Sequence, residues 1–276
     1  MPVSPITGVI AVDINVLGAL TLSCGERRSA VASKRASTVL TLLAMSPRVP
    51  VSFDQLVDEL WGDQPMVNSR NALQAVVSRL RRLLGSVTGR TGDRIVRTDS
   101  HGYVLDVSPE AVDAHRFLVL ADAGADLLQH HPVAAIAKLE EGLALWRGPA
   151  LMETRDSARC RIQAVHLEER RITAFEDLTA AKLAVDAERI SMSELRQLAN
   201  EHSERERLSE LLMLALYRHG RQREALEVFH GARRRLADDL ALEPGPALHF
   251  TYQAILKQDV VLGRPRRVPA SSGLPS

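Results

Sequence analysis

The stretch "SRNALQAVVSRLRRLLG", residues 69–85, holds four arginines and no acidic residue. Steps of 100° gather Leu73, Val76, Val77, Leu80, Leu83 and Leu84 within roughly a third of the circumference, which predicts an amphipathic helix with that stripe toward a core. The opposite face carries Arg70, Asn71, Gln74, Ala75, Ser78, Arg81 and Arg82, with Arg79 on its flank. Guanidinium forks and side-chain amides match guanine and adenine edges in the major groove, and small Ala75 and Ser78 allow close approach. The face suits DNA; taken alone, it also fits a solvated surface helix with arginines for solubility. Gly85 is expected to stop the helix.

Working outward from this helix, the upstream segment "AVDINVLGALTLSCGERRSAV" reads as short strands, because apolar and β-branched residues alternate between turns at Gly18 and Gly25. "KRASTVLTLLAM", from Lys34, has helical spacing and is closed by Pro47 and Pro50. Ser52 followed by Gln55 is a capping-box pattern, so a second helix is expected from Phe53. "GDQPMVNS" is a loop leading to the basic helix. Downstream, "RIVRTDSHGYVLDV" predicts a hairpin, with Arg94, Arg97 and His101 as its basic tip beside Tyr103. Small sheet, three helices and hairpin, with the most basic helix third, is the layout of a winged helix-turn-helix. In that layout Arg70, Asn71, Gln74, Arg79, Arg81 and Arg82 enter the major groove, Lys34 and Arg35 hold backbone phosphate, and the hairpin flanks them.

Charge follows the same plan. Residues 1–108 carry 12 Lys and Arg against 9 Asp and Glu, a balance of +3, whereas 109–276 carry 23 against 25, or −2. Within 66–98 seven arginines face only Asp93, so the positive field is concentrated around the third helix. The 276 residues suit about two domains of ordinary globular composition. Cys24 and Cys160 have no metal-ligand spacing and form no disulfide framework, which suits a reducing cytoplasm. The N-terminus lacks a basic signal-peptide region, and no apolar run approaches the length of about 18 residues that spans a bilayer. The excess of 31 Arg over 4 Lys hints at a GC-rich genome.

Beyond Pro109 the pattern is helical throughout. "DAHRFLVLADAGADLLQHH" with "PVAAIAKLEEGLALW" makes one pair about Pro132, and "LEERRITAFEDLTAAKLAV" with "SMSELRQLANEHS" makes another. In "ERERLSELLMLALYRHG" and "QREALEVFHGARRRLADDL" the spacing of Tyr217, Ala225 and Phe229 is tetratricopeptide-like, with small residues for close helix packing. The expected division is therefore a winged helix-turn-helix over 1–108, an all-helical domain over 109–258 and a disordered tail over 259–276.

The sequence contains no G-x-x-x-x-G-K-[ST], G-x-S-x-G or H-E-x-x-H element, and no nucleophile or paired-carboxylate constellation, so no enzyme and no cofactor is expected. His130 and His131 read as helix-end polar groups, Arg233–Arg235 as a solvated face, and Trp61 and Trp146 as core anchors.

Several ordered motifs, "LWGDQP", "NALQAVVSRLRRLLG", "GYVLDV", "LALWRGPAL", "RERLSELLMLALYRHGRQREALEVF" and "ADDLALEPGPAL", together resemble the Streptomyces antibiotic regulatory proteins. These join a winged helix to a bacterial transcriptional activation domain, and the resemblance covers residues 12–256. "VSRLRR" is also similar to the recognition helix of response-regulator output domains, where Ala75, Arg79, Arg81 and Arg82 match DNA-touching positions. The resemblance implies activation of a secondary-metabolite gene cluster from short direct repeats in double-stranded DNA. It implies protomers side by side as a homodimer on DNA, no membrane, and recruitment of RNA polymerase holoenzyme through its sigma factor and the C-terminal domain of its alpha subunit. The loop Trp61, Gly62, Asp63, Gln64 and Pro65 matches the family's polymerase-contact loop. The chain resembles the small, stand-alone members that lack an appended ATPase. Two departures stand out: the hairpin tip "RTDSHGY" is unusual, and "AVDAERISMSEL" lacks a helix-breaking glycine. The alternative reading is a helical-repeat module that binds a protein or ligand, with the N-terminal part serving only to dock.

Overall fold

The computed structural model describes residues 12–62, 68–185 and 190–259. The short alternating runs become β1 (Asp13–Asn15), β2 (Thr21–Cys24) and β3 (Arg27–Ala30), an antiparallel sheet in that order with Ile14 opposite Leu22. α1 (Lys34–Ala44) starts where the Ser33 hydroxyl accepts from Ala36 N. At the head of α2 (Phe53–Trp61) the expected capping box is complete: Ser52 Oγ accepts from Gln55 N at 3.1 Å, and Ser52 N donates to Gln55 Oε1 at 3.3 Å. Leu40, Leu43, Leu56, Leu73, Leu80 and Leu84 from the three helices are fully buried, which places the predicted stripe of the third helix in the core.

That third helix, α3 (Ser69–Thr88), does not stop at Gly85. Val87 continues the buried stripe, and the left-handed turn comes at Gly89, φ 69°, whose N–H returns to Gly85 O. Gly85 serves another need: a Cβ there would meet the Arg90 carbonyl at 3.1 Å. A 3-10 turn, Gly92–Arg94, then leads into β5 (Val96–Thr98) and β6 (Gly102–Leu105), the expected hairpin. With β4 (Val51–Ser52) they form a sheet of order β4-β6-β5. Gly102 is required here, because a Cβ at that position would lie 1.9 Å from Val51 O. Sheet, three helices and wing make a winged helix-turn-helix, and the described elements beyond it are helices.

Packing divides the chain elsewhere than at 108/109. One unit comprises residues 1–122 with 141–172, and the other 123–140 with 173–276. α4 (Asp113–Leu127), α5 (Pro132–Leu143) and α6 (Ala158–Val185) supply the later residues of the first unit and the earlier ones of the second. In the first unit, residues beyond 108 seal the β1 edge, whose polar groups would otherwise be unpaired. Ile14 bridges Val112, Leu17 bridges Ala150, Leu151 N donates to Val16 O at 3.0 Å, and Arg147 N donates to Leu17 O at 2.8 Å. The buried Asp113 carboxylate accepts from Val16 N at 2.7 Å, Leu17 N at 3.2 Å and Arg147 Nη2 at 2.7 Å. Its burial raises its pKa, against the pull of these donors. On the other side of the unit, Glu59 of α2 accepts from Ser157 Oγ at 2.6 Å and Arg159 N at 3.3 Å, capping the first turn of α6.

The second unit contains α7 (Met192–Glu201), α8 (Glu206–Arg218), α9 (Gln222–Leu240) and α10 (Pro246–Leu256). Ala225 and Phe229 of α9 are buried, and Phe229 stacks on Tyr252 with ring centroids 4.0 Å apart. α6 is longer than the segment expected from Leu167. α10, opened by Pro246 at its first turn, is a further helix that the sequence pattern does not separate. The connection 186–189 and the tail from 260 lie outside the described residues. No described helix is long and apolar enough to cross a membrane.

Candidate nucleic-acid interface

With its leucine stripe in the core, α3 turns Arg70, Asn71, Gln74, Ala75, Ser78, Arg79 and Arg82 outward, all of them exposed. Among the described residues the side chains of Asn71, Gln74, Ser78, Arg79 and Arg82 have no hydrogen-bond or ion-pair partner, while Arg70 lies over the Phe53 ring at 5.5 Å. Their donors and acceptors are therefore free to meet a ligand.

Two residues expected at the DNA surface are committed inward. Arg81 is not on the free face: Nε donates to Val96 O at 2.8 Å and lies 2.9 Å from Asp93 Oδ1, and Nη2 donates to Thr98 Oγ1 at 2.8 Å. Tyr103 is buried, packs edge-on against Phe53 at 5.3 Å and lies under Arg81. Burial raises its phenol above 10.0, with Arg81 opposing. Tyr103 is thus a core anchor of the wing and not its surface. Arg94 is exposed but stands in the 3-10 turn before the hairpin and not at its tip. The tip is Asp99–His101, where the Ser100 hydroxyl and His101 Nδ1 are 2.7 Å apart; Arg97 on β5 is paired with Asp106 at 3.1 Å. Asp99 and Asp106, just beyond the basic window counted in the sequence, temper the positive field of the wing.

The comparisons match both halves of this architecture. The family model "Transcriptional regulatory protein, C terminal" matches residues 27–105, and "Bacterial transcriptional activator domain" matches residues 112–256. Transcriptional regulator RedD of Streptomyces coelicolor is 42% identical over 256 residues, 92% of this chain and 73% of RedD. Regulatory protein DnrI of Streptomyces peucetius is 31% identical over 268 residues, 95% of this chain and 98% of DnrI. The chain belongs to the Streptomyces antibiotic regulatory protein family of transcriptional activators. Among solved structures, Mycobacterium tuberculosis EmbR in complex with a low affinity phosphopeptide superposes with a TM-score of 0.84 at 30% identity, over 90% of this chain. This chain spans 65% of the EmbR chain.

For this family member, the start of α1 and the end of α2 complete the candidate surface. Lys34 is exposed and ion-paired with Asp156, which holds the Asp156 carboxyl below its ordinary range. Arg35 lies over the Trp61 ring at 5.5 Å. Both cations expected to hold phosphate therefore already have intramolecular partners. Trp61 is buried, with its indole N–H unpaired among the described residues, so it anchors the loop without being its exposed part. Gly62 is exposed, while Asp63, Gln64 and Pro65 lie outside the described residues. No group of three or more His, Cys, Asp or Glu that could hold a metal is present among the described residues.

Proposed function

We propose that the protein binds double-stranded DNA sequence-specifically and activates transcription by recruiting RNA polymerase, with no catalysis of its own. The observation that carries this reading is the outward face of α3, where Asn71, Gln74, Ser78, Arg79 and Arg82 are exposed with unspent donors and acceptors on a helix whose other side is locked in the core. These residues enter the major groove with Arg70 and Ala75. Lys34 and Arg35 take backbone phosphate, Lys34 exchanging Asp156 for it, and Arg94, Arg97 and His101 flank the duplex. The preferred target is a pair of direct repeats near a promoter, occupied by protomers side by side. The loop Gly62–Pro65 and the helical half meet two parts of the holoenzyme, the sigma factor and the C-terminal domain of the alpha subunit. Membership of the Streptomyces antibiotic regulatory protein family, with the Streptomyces regulators RedD and DnrI as relatives, supports a role in controlling a secondary-metabolite gene cluster; the site of action is then the cytoplasm.

The test is a footprint of the full chain on its own genomic neighbourhood, at two salt concentrations and with random DNA as competitor. Two protected tandem elements about one helical turn apart, surviving the competitor, are expected. Protection that vanishes with competitor would reduce the surface to a non-specific basic patch.

A further inference from the structure

We propose that Arg81 is a positioning residue that fixes the β5–β6 wing against α3 and acts on DNA binding through the wing, without reading a base. The proposal rests on α3 being the DNA-recognition helix. β5 is the edge strand of its sheet, so one side of it pairs with β6 and the other is open. Arg81 fills that open side: one guanidinium holds Val96 O and Thr98 Oγ1, two residues apart on the strand, and reaches back to Asp93 at the start of the turn. Beneath it, the Tyr103 ring on β6 lies 5.7 Å from the guanidinium carbon.

The backbone makes the same junction independently. At Gly92 an added Cβ would lie 2.0 Å from Arg81 O, so the root of the wing is pressed against α3 at the residue whose side chain grips the strand. Side chain and backbone of Arg81 therefore both hold the wing against the recognition helix. A side chain 20% exposed, with Nε and Nη2 already directed to acceptors, has little left to offer a base edge. Lysine cannot stand in, because a point ammonium lacks the planar fork that reaches two acceptors on one strand.

The experiment uses the full chain and duplexes selected by the wild-type protein from a random-sequence library. Arg81→Met, Arg81→Lys and Thr98→Val are compared with Gln74→Ala and Arg82→Ala over a panel in which each base pair of the selected site is changed in turn. Arg81→Met and Arg81→Lys should weaken binding roughly tenfold, the scale of a charge-assisted hydrogen bond, by the same factor at every panel member. Both should also lose hydroxyl-radical protection on the wing-side flank. Thr98→Val should give part of both effects and add nothing on top of Arg81→Met. Thr98→Val keeps Arg81 and the whole outward face, so it carries the test alone if the Arg81 variants fail to fold. A loss that disappears at one particular base pair would make Arg81 a base reader and overturn the proposal, as would unchanged affinity and flank protection in folded Arg81→Met or Thr98→Val. If Gln74→Ala and Arg82→Ala also leave every base preference untouched, the failure lies in the reading of α3 itself.

Discussion

Replacing Asp113 by alanine should unfasten the first sheet at a cost of about 4 kcal/mol. Its carboxylate, 1% exposed, is among the described residues the only acceptor for the N–H groups of Val16 and Leu17, which then lose their partner where water does not reach. Each such loss costs about 1–3 kcal/mol. Arg147 adds little, because it is 40% exposed and keeps Thr21 Oγ1 and Ala19 O at 3.4 and 3.5 Å. Asp113→Asn retains an acceptor of the same shape and should cost about 1 kcal/mol. The pH dependence has a definite sign. Burial raises the folded-state pKa above the ordinary 3.8, so in the window between the two values the folded chain binds the extra proton. The contribution of this group to stability is then full below the window and declines as pH rises through it. Wild type should gain on Asp113→Asn as pH falls through the raised folded-state value toward the ordinary one. Because the chain has two packing units, the assay is urea denaturation read by hydrogen exchange at the Val16 and Leu17 amides, not a single global transition. Unchanged exchange at both amides in Asp113→Ala would refute the reasoning.

Four further outcomes follow from other parts of the structure. Gln74→Ala should weaken binding to a selected duplex by about 1–3 kcal/mol and relax its base preference at one position. Lys34→Ala should instead weaken all sequences alike and lower the salt slope by about one, as titrations at several salt concentrations would show. Gly102→Ala drives a Cβ into the Val51 carbonyl and should separate β4 from β6, lowering stability by about 3 kcal/mol and with it the melting temperature. Phe229→Ala removes a ring that is 2% exposed and stacked on Tyr252; it should destabilise the second unit by about 3–5 kcal/mol, seen as faster hydrogen exchange in α9 and α10.

Local signals carried most of the N-terminal architecture. The period of α3, the Ser52–Gln55 box and the alternating runs of the wing each reside within a few residues, and each formed as expected. Gly85 misled because a small residue in a helix marks either an end or a close approach, and only the Arg90 carbonyl decides between them. The wheel placed Arg81 among outward polar residues because it cannot see Val96 and Thr98, fifteen and seventeen residues further on. Tyr103 has an apolar ring and a polar tip, so its place in a basic hairpin did not reveal which end faces solvent. The packing boundary was hidden for a deeper reason: Asp113 reaches its N–H partners across 96 and 97 residues, a pairing that no window of sequence contains. α6 was read short because Cys160 and Ala164, buried in its first turns, give a weak apolar stripe among arginines.

The sealing of β1 by residues beyond 108 bears on how binding preferences could be moved between family members. A chimera that exchanged heads at residue 108 would pair a foreign β1 with the native Val112, Asp113 and Ala150, and a foreign α2 with the native Ser157 and Arg159. Both seams would have to match before the new recognition helix could be read at all. Grafting only the outward residues of α3 leaves both seams intact. On the reading proposed for α3, promoter choice then moves by point substitution on one helix face, while the head and the segment that seals it change together.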